Sequence, residues 1–145
     1  MLEAGRITQS GTPDDIRRRP ATAYVAALAG QNLLRGRADR GVLALDDHDL
    51  ELRSADAHTI GPVLITIHPR AIALHDVEPH GSPRNTWRTS VAEIEPLGEV
   101  TRITLGTPLP LSVDVTPSAI SSLGLAPGSS VWASVKATEV HLDPT

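Results

Sequence analysis

Two stretches near the end of the chain alternate between apolar residues and others, and this pattern restricts the fold more than any other feature. From Leu109 to Val115, leucine and valine occupy every second position, with Pro110, Ser112 and Asp114 between them. From Val131 to Lys136, valine and alanine again occupy alternate positions. Successive side chains of a β-strand point to opposite faces, so each stretch predicts a strand with one buried face.

A short helix is predicted between these two strands, and two further strands are predicted before them. Thr116 precedes Pro117 in the order of an N-cap and a proline at the first helical position, and Gly124 ends the helix. The earlier strands are Arg88–Ile94 and Glu99–Leu105. Several strands with one short helix between the third and fourth match a small OB-like β-barrel. The predicted core comprises the inward-facing residues Val91, Ile94, Ile103, Leu111, Val113, Val115, Leu123, Val131 and Val135.

The first part of the chain combines a helical tail with a strand-rich segment. Thr12 followed by Pro13 predicts the start of a helix, and a break at Pro20 precedes a second helix, Ala21–Ala29, within a helical region spanning residues 12–30. From Asn32 onward, short apolar runs separated by glycine, aspartate and proline predict strands. These runs are Leu33–Arg37, Val42–Leu45, Leu50–Arg53 and Val63–His68.

The composition agrees with a mainly β fold built from short elements. The 145 residues include 12 Pro and 11 Gly but no Phe, one Tyr and two Trp, so turns are frequent and the core consists of Val, Leu, Ile and Ala. We divide the sequence into a helical tail at 1–31, a strand-rich segment at 32–80 and the barrel at 81–145.

Composition also argues against several classes of function. Without cysteine, the chain has neither a disulfide framework nor a thiolate metal site. The net charge is −4 and the largest basic cluster is Arg17–Arg19, whereas nucleic-acid binding needs a basic surface. The first residues do not form a signal peptide, and no apolar stretch approaches the ~20 residues that span a bilayer. Nucleic acid is therefore not a predicted partner.

Catalytic and metal sites are not predicted either. The sequence has no Gly-x-x-x-x-Gly-Lys-Ser/Thr loop, so this chain cannot hydrolyse ATP by itself. It also has no Gly-x-Ser-x-Gly elbow of a serine hydrolase. Residues 46–49 contain three aspartates and a histidine, but neighbouring residues of a turn seldom all point at one ion. We interpret them as a solvated turn and predict no metal ligands.

Three short motifs in the last part of the chain occur in a characteristic order. They are Ser82-Pro83-Arg84-Asn85, then Val115-Thr116-Pro117 with Leu123-Gly124-Leu125, then Val135-Lys136-Ala137-Thr138. The first and last resemble the Ser-x-Arg-Asn and Lys-Ala-Thr signatures of the oxyanion-binding domain called Mop or TOBE. The resemblance covers about residues 81–142 and implies an OB-like barrel.

The beginning of the chain carries a second resemblance. Leu2–Pro13 is similar to the last strand and turn of an ABC-transporter ATPase domain, and Tyr24–Gly30 followed by Asn32–Leu34 is similar to the segment that comes next. An ATPase tail followed by a Mop-like domain is the layout of molybdate importers. The resemblance therefore implies the C-terminal part of an ATP-binding subunit.

The resemblance to Mop domains implies a set of anion-binding residues. Ser82, Arg84 and Asn85, predicted to lie in a loop before the first barrel strand, would contribute contacts that come partly from backbone amides. Lys136 would supply positive charge, Ala137 its backbone amide, and Thr116 a hydroxyl. The family's site is shared between two subunits. From spacing alone, Lys136 is a surface lysine and Thr116 a helix cap, and these interpretations remain open.

Two positions depart from the family pattern. Pro83 stands where alanine or glycine is usual and removes one N–H. Ala119 stands where many members have a serine that donates a second hydroxyl, and Ser118, one position earlier, is predicted to point elsewhere. One anion contact is therefore in doubt.

The resemblance implies a regulatory domain that binds molybdate or tungstate. Two copies would pair across an ATPase dimer and trap the anion, so the predicted partners are a homodimer, an ABC-ATPase domain of the same protein and a membrane permease. Localisation would be cytoplasmic, at the membrane's inner face. No cofactor is predicted, because ATP and magnesium belong to the parent protein. The alternative is a structural dimerisation domain without a ligand, and the sequence does not separate molybdate from sulfate.

Overall fold

A computed structural model describes residues 30–81 and 84–145, excluding the side chain of Arg84. The helices predicted within residues 12–30 and the predicted ligand Ser82 lie outside the described residues. Among the described residues, none of the helices has the length and apolar character that crossing a bilayer requires.

The described residues form ten β-strands, one α-helix and two 3-10 turns. The strands are β1 Asn32–Asp39, β2 Val42–Leu45, β3 Glu51–Arg53, β4 Gly61–Ile67, β5 Ile72–His75, β6 Arg84–Leu97, β7 Val100–Leu105, β8 Ser112–Val115, β9 Ser130–Lys136 and β10 His141–Pro144. The helix α1 is Pro117–Leu123, and the 3-10 turns are Pro69–Ala71 and Ala137–Glu139.

The strands form two antiparallel sheets of five strands each. The first sheet has the order β10-β4-β1-β2-β3, and the second has the order β5-β9-β6-β7-β8. The edge strands β5 and β8 of the second sheet contact each other, so this sheet curls towards a barrel. The prediction of a mainly β fold with one short helix between two late strands is confirmed.

The order of elements occurs twice along the chain. Four strands, a 3-10 turn and a fifth strand run from β1 to β5, and the same series runs from β6 to β10 with α1 inserted after β8. Each repeat gives its fifth strand to the sheet of the other, because β5 pairs with β9 and β10 pairs with β4. The registers correspond, since Ala73 lies opposite Ser134 and His141 lies opposite Thr66. The segments at 32–80 and 81–145 are thus interlocked by strand exchange.

Two asparagines fasten each repeat to the edge strand of the other. Asn32 Nδ2 donates to the carbonyl of Ser112 at 2.8 Å, and the Ser112 amide donates to Asn32 Oδ1 at 2.7 Å. Asn85 makes the same pair of bonds with Arg53, at 2.9 Å to the carbonyl and 2.6 Å from the amide. Each side-chain amide therefore acts as one more peptide group beside an edge strand.

A single apolar core connects the two sheets, and the core prediction is confirmed. Six of the nine predicted residues are buried, and the other three, Ile94, Val115 and Leu123, are partly buried against the same core. The first repeat contributes eight of the twenty buried residues of this core, including the fully buried Leu43, Leu52, Ile65 and Ile67. Burial of this apolar surface holds the exchanged strands in place.

Most element boundaries agree with the sequence prediction. The strand at Val42–Leu45 matches, and the other three strands predicted before residue 69 end within two residues of the prediction. Thr116 caps α1, and Gly124 ends it in the left-handed conformation at φ 61°. That conformation suits glycine, because a side chain is strained there.

The predicted strand at Leu109–Val115 is wrong in its first half, because β8 begins only at Ser112. Leu109 and Leu111 are buried as the alternation predicts. Pro110 has no N–H to donate, and the Leu111 amide donates to the carbonyl of Leu109 at 2.9 Å. The chain therefore turns tightly here. Leu109 and Leu111 are buried as predicted, although the segment that carries them is not part of a strand.

The predicted loop at 82–85 is also wrong where the structure describes it, because Arg84 and Asn85 already belong to β6. Arg84 lies opposite Lys136 and Asn85 lies opposite Val135 on β9. The strand predicted at Arg88–Ile94 therefore starts four residues earlier, and it continues to Leu97. The long neighbouring strand β9 supplies hydrogen-bond partners that a reading of the local sequence does not reveal.

Candidate functional site

Lys136 lies at the last position of β9, where the chain enters the second 3-10 turn. Its side chain is exposed, while the preceding residues Val135 and Ser134 are buried. Arg84 lies directly opposite it on β6. The strand pairing therefore brings predicted site positions 84, 136 and 137 to one end of the β6–β9 pair.

Ala137 is tied to the first repeat through its carbonyl group. The carbonyl accepts the Ala55 amide at 3.0 Å and the Val140 amide at 3.3 Å. Ser54 Oγ donates to the carbonyl of Val140 at 2.8 Å within the same contact. These hydrogen bonds to carbonyl groups hold the turn that follows Lys136 against the first repeat. An anion contact through the Ala137 amide stays a prediction.

Asn85 has its side chain in the protein interior, only 7% exposed. Both ends of its amide are engaged by Arg53, and Nδ2 also donates to the carbonyl of Val135 at 3.4 Å. A contact from this side chain to an anion would require breaking these bonds. The geometry therefore gives Asn85 a positioning role, holding β3 against the strand that carries Arg84.

Thr116 and Ser118 place two hydroxyl groups together at the start of α1. Thr116 Oγ1 accepts the Ala119 amide at 3.3 Å, and it lies 3.0 Å from Ser118 Oγ. The prediction that Ser118 points elsewhere is wrong, because side chains at the start of a helix tilt back towards its N-terminus. Ser118 thus supplies a second hydroxyl near Thr116 where the family's serine is replaced by Ala119.

A cleft of about 550 Å³ opens beside Lys136 and reaches the first 3-10 turn. Its lining carries two fixed positive charges, Arg70 and Lys136, and one carboxylate, Glu139. An anion entering the cleft therefore meets a net positive charge. Thr116 is not part of this lining. Among the residues that the structure describes, the lining comprises His68, Arg70, Ala71, Ala73, Ser134, Val135, Lys136 and Glu139.

Sequence reasoning missed the contribution of the first repeat to this cleft. His68 caps the turn Pro69–Ala71, and its Nδ1 accepts the Arg70 amide at 3.0 Å, which leaves the proton of the neutral ring on Nε2. The one signal in the sequence was His68 followed by Pro69, the same order of cap and proline as Thr116 and Pro117. Nothing local indicated that this turn would lie near Lys136.

An ion pair between Arg102 on β7 and Asp114 on the edge strand β8 stabilises the end of the second sheet that lies farthest from β5 in strand order. Arg102 Nε donates to Oδ1 at 2.8 Å and Nη2 donates to Oδ2 at 2.9 Å, and the Asp114 side chain is 8% exposed. The Arg102 hydrogen bonds hold the pKa of the Asp114 carboxyl below its ordinary value, with smaller electrostatic contributions from His68 and Arg70. The first 3-10 turn, which carries Arg70, contacts β8 directly.

Asp114→Asn is expected to lower the free energy of unfolding by about 1–3 kcal/mol at neutral pH, because Arg102 loses a charged partner. The pKa of Asp114 is lower in the folded state, so the ion pair stabilises the fold above about pH 4 and this stabilisation is lost as the pH falls through the folded-state pKa. Urea unfolding of both proteins at several pH values checks this. The difference should shrink on acidification, and a constant difference would contradict the prediction.

The described residues bring together no group of three or more His, Asp or Glu side chains that could hold a metal ion. The acidic turn at 46–49 follows β2, away from Lys136 along the chain. Among the described residues, the cleft is lined by the cations Arg70 and Lys136 and by the carboxylate of Glu139, and this excess of positive charge suits an anionic ligand.

Comparison with known proteins identifies the second repeat. The TOBE domain family matches residues 81–142. The molybdenum import ATP-binding protein ModC of Mycobacterium tuberculosis is 37% identical over 159 residues, covering 99% of this chain. The molybdate/tungstate import ATP-binding protein WtpC of Pyrococcus horikoshii is 31% identical over 146 residues, again covering 99% of this chain. The chain spans 41% of the length of each relative.

A solved structure shares the fold. The cytoplasmic molybdate-binding protein ModG, in a crystal form with molybdate bound, superposes with a TM-score of 0.67 at 22% identity, covering 79% of this chain and 96% of that one. The predicted OB-like TOBE architecture is thereby confirmed. Residues 81–142 of this chain are a TOBE domain, and the chain as a whole resembles a stretch of molybdate and tungstate import ATP-binding proteins.

Proposed function

We propose that this chain binds a tetrahedral oxyanion, molybdate or tungstate, at Lys136. The observation that carries the proposal is the exposed ammonium of Lys136 at the edge of a cleft that also contains Arg70. Two fixed cations suit a dianion, because hydrogen bonds between charged groups are about twice as strong as neutral ones. The names of the relatives and of the structural neighbour support the same class of ligand.

The residues of the proposed site are those implied by the family motifs. Lys136 supplies charge, the backbone of Arg84 lies opposite it on β6, and Ala137 follows it as the first residue of the second 3-10 turn. Ser82 precedes β6 in the sequence, and Thr116 with Ser118 offers hydroxyl groups at α1. Because the resemblance implies a site shared between two subunits, and Thr116 does not line the cleft beside Lys136, we infer that its hydroxyl would reach the anion from a second copy of the chain.

We further propose that this binding regulates an ABC importer. The chain would be the C-terminal part of an ATP-binding subunit, located in the cytoplasm and bound to the membrane through a permease. Anion binding would favour one arrangement of two paired subunits over another, because a ligand shifts an equilibrium towards the state that it binds better. ATP hydrolysis would belong to the ATPase domain of the parent, since this sequence lacks the phosphate-binding loop.

The purified chain is expected to be a homodimer without ATPase activity. Sedimentation velocity over a range of concentrations, with and without molybdate, checks the first part, and phosphate release from ATP checks the second. A single monomeric species at high concentration under both conditions would contradict the dimer. ATP hydrolysis that purifies with the chain would contradict the second part.

A structural dimerisation domain without a ligand is the second candidate function. Two observations favour it: Asn85 is fully engaged by the fold, and the carboxylate of Glu139 lines the cleft. In that case the cations of the cleft would serve only solubility or subunit contacts. Anion titration separates the two candidates, since only the first predicts saturable binding.

Isothermal titration calorimetry with molybdate, tungstate and sulfate at constant ionic strength tests the proposed function. Molybdate and tungstate are expected to bind saturably with an affinity near micromolar, which corresponds to about 8 kcal/mol. Sulfate has the same charge and shape but is smaller, so its affinity measures how far size contributes. Absence of saturable binding for all three anions would favour the structural candidate.

A further inference from the structure

The two 3-10 turns occupy corresponding places in the two repeats. The first follows β4 and is capped by His68, and the second follows β9 and begins after Lys136. The backbone conformations agree, with φ −68° and ψ 137° at His68 and φ −69° and ψ 144° at Lys136. The segment His68-Pro69-Arg70 therefore corresponds to Lys136-Ala137-Thr138, although the two share no residue.

Strand exchange brings these two turns to the same cleft. β5 leaves the first turn and pairs with β9, which leads into the second, so Ile72 lies opposite Val135. As a result, His68 and Arg70 line the cleft from one repeat and Lys136 lines it from the other. The cleft thus lies between two repeats of a single chain.

The guanidinium of Arg70 is available to a ligand in this cleft. Within the described part of the chain, Arg70 forms no ion pair. Asp114 is close enough for Arg70 to lower its pKa, but both carboxylate oxygens of Asp114 already accept hydrogen bonds from Arg102. Among the described residues that line the cleft, Glu139 carries the one negative charge that opposes Arg70.

Ser134 adds a buried hydroxyl group to the lining. The residue is 2% exposed, and its Oγ lies 2.9 Å from Nε2 of His75. When the ring nitrogen donates this hydrogen bond, the hydroxyl keeps its own proton for a ligand. The cleft then offers a neutral donor in addition to two cations, which suits the several oxygens of a tetrahedral anion.

We propose that the cleft between the repeats is an oxyanion site complete within one chain, in which Arg70 and Lys136 contact the anion from opposite repeats. This inference rests on the proposed function, in which the anion binds at Lys136. It differs in that the residues contacting the other side of the anion come from the same chain. Arg70 and Ser134 then become ligands that the family motifs do not contain. The carboxylate of Glu139 limits affinity by repelling the anion.

Molybdate titrations of five variants, including Thr116→Ala, test this inference. Arg70→Gln removes the charge but keeps a polar side chain, and it is expected to weaken binding by about tenfold, as loss of a charged donor should. Glu139→Gln removes the opposing charge and is expected to strengthen binding by about threefold. Arg37→Gln is the matched control, because Arg37 is an exposed arginine on β1 outside this cleft. Lys136→Ala reports whether the anion binds at Lys136 at all.

The outcomes separate failure of the inference from failure of the proposed function. Weaker binding in Arg70→Gln, together with unchanged binding in Arg37→Gln, supports a site within one chain. If Lys136→Ala weakens binding but Arg70→Gln does not, the anion sits at Lys136 without Arg70 and the inference is overturned. A loss in Thr116→Ala larger than the loss in Arg70→Gln would likewise assign the second wall to a partner chain. If Lys136→Ala has no effect, the proposed function itself is wrong.

Discussion

Lys136→Ala is expected to weaken molybdate binding by at least about tenfold while leaving the fold intact. The side chain is exposed at the end of β9, and the inward face of this strand is formed by Val131, Ala133 and Val135. Removing the ammonium therefore changes the cleft without disturbing the core. Micromolar affinity corresponds to about 8 kcal/mol, and loss of a hydrogen bond to a charged group removes roughly 1.5–3 kcal/mol of it.

Two further measurements make this result interpretable. Lys136→Arg keeps the charge but replaces a compact ammonium with a planar fork, so it is also expected to weaken binding. Urea unfolding of the alanine variant should give the same free energy as the parent within about 0.5 kcal/mol, as for other exposed positions. An unchanged affinity for molybdate in Lys136→Ala would shift the assignment to the structural dimerisation domain.

Asn85→Ala is expected to lower the free energy of unfolding by about 2–4 kcal/mol, because it leaves both the amide and the carbonyl of Arg53 without their partner. The side chain is 7% exposed, so water replaces these bonds poorly. The substitution removes the two side-chain hydrogen bonds that link β3 of one repeat to β6 of the other. Equilibrium unfolding in urea, followed by far-UV circular dichroism, measures the effect.

Asn32→Ala is the matched variant for this prediction, since Asn32 makes the equivalent bonds with Ser112. The two single variants should destabilise the fold by similar amounts. Asn85→Asp keeps an acceptor for the Arg53 amide but loses the donor to the Arg53 carbonyl and buries a negative charge, so it should destabilise the fold at least as much as Asn85→Ala. A change below about 0.5 kcal/mol in Asn85→Ala, the size typical of surface positions, would contradict the role that we assign to this residue.

The sequence pattern predicted local structure well wherever alternation and capping determine it. The cap at Thr116 and the glycine at Gly124 marked the ends of α1. Alternation identified the buried face of β9 and the buried side chains of Leu109 and Leu111. It failed at Pro110, because the period of two reports burial and does not report whether backbone groups pair with a neighbouring strand.

The strand exchange between the repeats could not be predicted from local patterns. β5 and β10 are four residues each, and each finds its partner in the other half of the chain. Such pairing depends on contacts between residues far apart in sequence, and hydrophobic periodicity gives no information about these contacts. Corresponding positions such as His68 and Lys136 share backbone conformation but differ in residue type, so the repeat is visible in the structure and faint in the sequence.

The candidate site was predictable only in the half that carries family motifs. Lys136, Ala137 and Thr116 were predicted because they belong to motifs with a known order, and of these three Lys136 lines the cleft. Arg70 was not found, because a single arginine after a proline gives no local signal. Asn85 was found through its motif, but the motif does not indicate that its side chain holds two strands together.

The anomalous scattering of tungsten in crystals of this chain grown with tungstate tests the assignment of the site most directly. The anomalous difference map is expected to show a strong peak in the cleft, within hydrogen-bond reach of the Lys136 Nζ and the Arg70 guanidinium. A peak at Lys136 near α1 of a second chain would support anion binding with a shared site. A map with no peak at Lys136, from crystals grown at saturating tungstate, would contradict oxyanion binding there.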